Sequence, residues 1–169
     1  MSGRQSVLFN RRFPKSRWTS LLQELDAEEV RTAYADLKAD APKRSEQQPY
    51  VGGRNGYTSS STSTNRREEH FAVALVNAQQ RWALPNSKTF ELVDYQVPLK
   101  AKRSDRGIGK IDLFGLTEAG QAVVVELKVR GHSGGDSDAP PVALLEAIRY
   151  AAIVEANQDR LQHEFPTRF

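Results

Sequence analysis

No cysteine occurs among the 169 residues, which removes disulfide frameworks, zinc ribbons and cysteine nucleophiles from consideration and fits a reducing compartment. Long apolar runs are missing as well. The opening stretch MSGRQSVLFNRRFPKSRW holds no apolar segment of signal-peptide length, and nothing later is long enough to cross a bilayer. The expectation is a soluble, cytoplasmic protein without membrane contact. Histidine is scarce, and His70, His132 and His163 do not fall at metal-ligand spacing. Charge of one sign is not in large excess either: 24 basic against 21 acidic residues leave a net +3. That permits a polyanionic partner without naming one. What is present, 38% hydrophobic residues, supports one modest core.

The chain divides by composition. After a basic leader, Leu21, Leu22, Leu25, Val30, Ala33, Tyr34 and Leu37 recur at mostly helical spacing, and Ser20 with Gln23 and Asp26 with Glu29 match capping boxes, so the spacing predicts one or two helices over 20–39. From Ala41 to Asn65 the composition turns to Pro, Gly, Ser and Thr, which predicts a loop or linker. The expected division is therefore a helical arm and flexible linker over 1–65 and an α/β core over 66–169. In the core, RREEHFAVALVNAQQ is helical with Phe71, Ala74, Leu75 and Ala78 on one apolar side. Three strands follow: TFELVDYQVPLKA, with a slip in alternation at Leu92 and Val93 that suggests a bulge, then GKIDLFGL, the turn TEAGQ, and AVVVELKV. A Gly-rich loop leads to a helix from about Pro141 with Leu144, Leu145, Ile148, Ala151 and Ala152 on the core side. The order is helix, a three-stranded mainly antiparallel meander, helix.

Two of these strands carry charges among apolar residues. Side chains alternate along a strand, so Glu126 and Lys128 share the face of Val124, opposite Val123, Val125 and Leu127. Asp112 stands between Ile111 and Leu113. An isolated buried charge costs too much to keep without a partner. Antiparallel neighbours joined by a short turn bring Asp112 toward Glu126 and Lys128 on one face. Hard carboxylate oxygens suit Mg²⁺, which is held by one or two carboxylates while keeping waters and substrate phosphate oxygens. An adjacent lysine orients or helps deprotonate an attacking water, or stabilises charge on the phosphate.

Asp112 followed by Glu126-Leu127-Lys128 resembles the D...(D/E)-x-K signature of the PD-(D/E)XK nuclease superfamily, whose members have restriction endonuclease-like folds. The match covers residues 66 to about 157. The resemblance implies metal-dependent phosphodiester hydrolysis, with DNA ahead of RNA as substrate. It implies that Asp112, Glu126 and the backbone carbonyl of Leu127 bind Mg²⁺ or Mn²⁺, that Lys128 acts on the water, and that a helix carboxylate, Glu68 ahead of Glu69, assists. Glu146 and Tyr150 have the spacing of the family's Q-x-x-x-Y motif, with Glu in place of Gln. The family's last core strand has no evident counterpart in QDRLQHEFPTRF, which leaves the core short of that strand or supplied with it from elsewhere.

Lys100, Lys102, Arg103, Arg106 and Lys110 form a basic segment suited to a phosphate backbone. An ordinary exposed loop accounts for it equally. A solvated strand face accounts for Glu126 with Lys128, helix-start chemistry for Glu68 and Glu69, and a surface pair for Glu146 with Tyr150. GHSGG matches a nucleophile-elbow pattern at Ser133, but its serine is separated from any helix by GDSDAPP, so it is read as chance. A non-catalytic nucleic-acid-binding or partner-docking domain on the same fold is the alternative reading. A homodimer or a protein partner through the arm is compatible with both.

Overall fold

The computed structural model describes residues 26–50, 67–105, 108–128 and 140–164, together with residues 20 and 23. Asp26 caps helix α1 (Ala27–Ala39), its carboxylate accepting from the Glu28 amide at 3.3 Å, with Glu28 and Glu29 against the positive end of the helix dipole. Helix α2 (Arg67–Asn77) leads into strands β1 (Arg81–Ala83), β2 (Thr89–Pro98), β3 (Lys110–Thr117) and β4 (Ala122–Val125), then α3 (Pro140–Ala156) and α4 (Gln158–Glu164). The strands form an antiparallel sheet in the order β1-β2-β3-β4. The fold is a mixed α/β architecture with an open four-stranded sheet.

Strand β1 is absent from the sequence expectation, because three residues, Arg-Trp-Ala, are too few to show a period of two. The bulge is real: the β2–β3 register shifts between Leu92 and Asp94. The β3–β4 turn is closed by Thr117, whose amide donates to the Gln121 carbonyl at 2.9 Å and whose hydroxyl accepts from the Gln121 amide at 3.0 Å. Gly120 there sits at φ 73°, the left-handed position that this three-residue hairpin assigns to glycine. Gly115, mid-strand, is required by space: a Cβ would lie 2.7 Å from the Glu91 carbonyl and 2.8 Å from the Phe90 ring.

The sheet separates two apolar clusters. Leu113, Tyr95, Phe90 and Leu92 pack with Ala72 and Val73 of α2, joined by Val123, Val125 and Leu127. Phe114 and Leu116 pack with Tyr150, Ile153 and Val154 of α3, joined by Val124. Position 112 has the parity of Phe114, and 126 that of Val124, so both carboxylates belong to the α3 side.

Two helical faces differ from expectation. On α2 the buried residues are Ala72 and Val73, whereas Phe71 is 56% exposed and Ala74 and Ala78 are exposed. The apolar side chosen from the sequence is rotated from the packed one, because nearly every residue from 71 to 76 is apolar and the period is weak. Leu144 of α3, expected in the core, is likewise 55% exposed.

The arm is part of the packed body. Tyr34 and Lys38 of α1 both donate to Glu155 of α3 at 2.7 Å. Residues 41–50, expected as loop or linker, lack regular structure but are held in place: Ala41 and Tyr50 belong to the α3-side core, and Asn157 donates to the Pro42 carbonyl at 3.0 Å. Arg44 donates to the carbonyls of Gln48, Pro49 and Lys100 and stacks over the Tyr50 ring. The boundary expected at residues 65 and 66 lies outside the described residues, and on its two sides α1 and residues 41–50 are in contact with α3 and α4.

Candidate functional site

Continuing the β3–β4 register of Leu113 with Val125 by one residue sets Asp112 opposite Glu126, where regular pairing has stopped at Val125. Asp112 is 8% exposed. Its Oδ1 accepts from Gln96 Nε2 at 2.9 Å and its Oδ2 from the Leu127 amide at 2.9 Å. Lys128 Nζ lies 3.3 Å from Glu126 Oε1 and 2.9 Å from Glu146 Oε2. Asp112, Glu126, Lys128 and Glu146 thus meet where the end of β4 passes under the first half of α3.

Glu126 Oε2 is buried and has no donor. Burial, then the charge of Asp112 and a hydrogen bond with it, push the Glu126 carboxyl up to about 8 against the pull of Lys128. Two ionised carboxylates cannot bond to one another; with Glu126 protonated, the acid donates to Asp112. A shared proton or a cation is what the pair requires. Burial opposes the charge of Lys128, but its bond to Glu146 and the charges of Glu146 and Glu126 outweigh this and hold its ammonium above the usual lysine range. Burial likewise raises the Tyr150 hydroxyl.

The Glu146 carboxylate gives Lys128 a second ion pair, which an amide at this position could not. Tyr150 is 2% exposed in the α3-side core, close enough to Glu126 and Glu146 to feel their charges. The basic segment lies at the same end of the sheet, between the end of β2 and the start of β3. Asp105 folds it into a turn by accepting from the Ala101 and Lys102 amides at 2.9 and 2.8 Å, which leaves Lys100, Lys102 and Arg103 exposed; Lys110, at the start of β3, is exposed too. Arg106 and Ser133 lie outside the described residues. Glu68 and Glu69 open α2, in the layer on the other side of the sheet, and both are partly buried.

Two residues were not anticipated. Gln96 holds Asp112 from a left-handed backbone, φ 51°, uncommon for a residue with a side chain. Its only signal in the sequence is an uncharged polar residue between Tyr95 and Val97. Arg149, 4% exposed, lies one turn after Leu145 and one before Ala152, so its place on the buried stripe of α3 was readable from helical spacing.

Asp112 and Glu126 fit a hard divalent ion in the chemistry of their oxygens, and Glu126 Oε2 lacks a donor among the described residues; Mg²⁺ needs only one or two protein carboxylates. Among the described residues no group of three or more His, Asp or Glu side chains is arranged to hold a metal. A cleft of about 560 Å³ runs between β4 and α3, lined by Val123, Val124, Ala147 and Ile148, and a second of about 440 Å³ lies by Arg81, Glu91 and Glu118; Asp112, Glu126 and Lys128 line neither. No described helix is long and apolar enough to cross a membrane. Comparison with protein-family models, curated proteins and solved structures finds no match.

Proposed function

We propose that this chain is a divalent-metal-dependent nuclease with a restriction endonuclease-like core, hydrolysing phosphodiester bonds in nucleic acid, DNA ahead of RNA. The observation that carries the reading is the meeting of Asp112, Glu126 and Lys128 on one face, with a buried Glu126 oxygen that no donor among the described residues reaches. Asp112 and Glu126 hold the ion, Mg²⁺ or Mn²⁺, with the Leu127 carbonyl beside them. When bound, the ion supplies Lewis acidity toward the phosphoryl oxygen and the attacking water. Gln96 and the Leu127 amide fix the rotamer of Asp112, each using one lone pair of an oxygen that has another to spare. Lys128, held as an ammonium, orients the water and offsets charge growing on the phosphate; it is not the base. Lys100, Lys102, Arg103 and Lys110 contact the backbone phosphates from the loop at the same end of the sheet.

The test is cleavage of duplex, single-stranded and branched DNA and of RNA with Mg²⁺ or Mn²⁺, with and without chelator. Asp112→Asn and Lys128→Met should each lower the rate by a factor of at least about a thousand while the fold persists. Wild-type rates in either variant would remove the assignment. Metal-independent binding of the panel without cleavage would favour a non-catalytic nucleic-acid-binding domain instead.

A further inference from the structure

Arg149 is a charged residue in an apolar place, and among the described residues no carboxylate pairs with it. Its neighbours along the stripe, Leu145, Ala152 and Ile153, are all 2% exposed or less. Its Nη2 donates to the Tyr150 hydroxyl at a long 3.4 Å, its guanidinium carbon lies 5.0 Å from the centre of that ring, and its Nε is buried without an acceptor. A phenol and a ring face do not offset the loss of water around a guanidinium; buried arginines ordinarily meet a carboxylate or phosphate through paired N–H donors. The absence of an ion pair is notable because Glu146 is one turn away on the same helix and bonds to Lys128 instead. An arginine needed only for stability would be served by that carboxylate.

We infer that the Arg149 guanidinium, beside Tyr150 and one turn from Glu146, is a binding site for a phosphoryl group. This rests on the nuclease reading only for the source of that group, a backbone phosphodiester next to the one being cut. The donor set stands without it: a buried guanidinium whose Nε has no acceptor among the described residues and whose Nη2 makes only a long bond to a phenol, a donor edge that a tetrahedral oxyanion matches. The division of labour follows from charge. Lys128, beyond the end of β4, is shared between two carboxylates and serves the reacting phosphate; Arg149 is the cation that α3 itself supplies for a neighbouring one.

The experiment uses the whole chain with metal removed by chelator, so that turnover plays no part. Inorganic phosphate is titrated at constant ionic strength against chloride, and stabilisation is followed by thermal melting. A short single-stranded oligonucleotide with a 5′-hydroxyl is titrated in parallel by fluorescence anisotropy. Response to the oligonucleotide assigns the subsite to a backbone diester, and response to inorganic phosphate alone to a free or terminal phosphate. Arg149→Met keeps the bulk and removes the charge. It should be at least as stable as the parent without anion, as expected when an unpaired buried ion is replaced by an apolar group, and should bind the responding anion roughly ten- to a hundredfold more weakly. Arg149→Lys, which keeps the charge and lacks the fork, should bind at least about fivefold more weakly and decides the matter should the methionine variant not fold. Absence of any anion response in the parent, or unchanged affinity in the folded variants, overturns the proposal. A parent that binds phosphate through Arg149 but cuts nothing with Mg²⁺ present would defeat the nuclease reading and leave this one standing.

Discussion

Lys128 and Glu146 are joined across the end of β4 and the first half of α3 by a 2.9 Å ion pair between groups 17% and 13% exposed. The pair ties helix to sheet where the site carboxylates gather. Glu146→Gln should cost about 1–3 kcal/mol in urea unfolding, because Lys128 keeps Glu126 but loses its shorter contact. Lys128→Met should cost more, since it leaves two carboxylates, Glu126 and Glu146, without their common counter-charge. Equal stability of the two variants would show that Glu146 and Lys128 are not coupled.

Glu126 makes stability fall with pH in the metal-free protein. Its folded value is raised from 4.5 to about 8, so the unfolded state binds fewer protons between those limits. The contribution is fully present below the unfolded value and is lost as pH rises through about 8. Urea midpoints measured in chelator from about pH 5 to about pH 9 should drop, and Glu126→Gln should flatten the drop. A variant with the parent's slope would place the proton elsewhere.

Gln96 separates strain from positioning. Gln96→Ala keeps the left-handed backbone cost and loses the bond to Asp112; Gln96→Gly loses the bond and relieves the strain. The glycine variant should be more stable than the alanine variant by about 1 kcal/mol, while both cleave more slowly than the parent. Parent rates in both would make the Gln96 contact incidental to activity.

Gly115 admits no side chain without movement of Phe90 and the β2 backbone. Gly115→Ala should destabilise by roughly 2 kcal/mol or more in thermal or urea unfolding, with the loss centred on the β2–β3 pairing. A stability within a few tenths of the parent would mean that the Phe90 ring swings aside freely.

The strands from 89 to 125 were legible because period-two patterning is strong there, and the break at Leu92 and Val93 marked a real change of register. Asp112, Glu126 and Lys128 stood out for a related reason: charge in an apolar strand needs an explanation. Helix α2 misled because an almost wholly apolar run fits several faces. The packing of Tyr50 and Ala41 had no local signal, since their partners on α3, α4 and β3 are far away in sequence and a Pro- and polar-rich segment looks the same whether pinned or free. Gln96 was hidden by backbone geometry, which side-chain identity does not encode.

Tyr50 lies 1% exposed among Val97, Leu99, Ile111 and Leu161, and its amide donates to Glu164 at 2.7 Å. A fragment trimmed to residues 66–169 would therefore lose a wall as well as an appendage, exposing an aromatic-sized notch beneath the very loop that bears Lys100 and Lys102. Dissection of this protein into a minimal folded piece should keep everything from Asp26 onward.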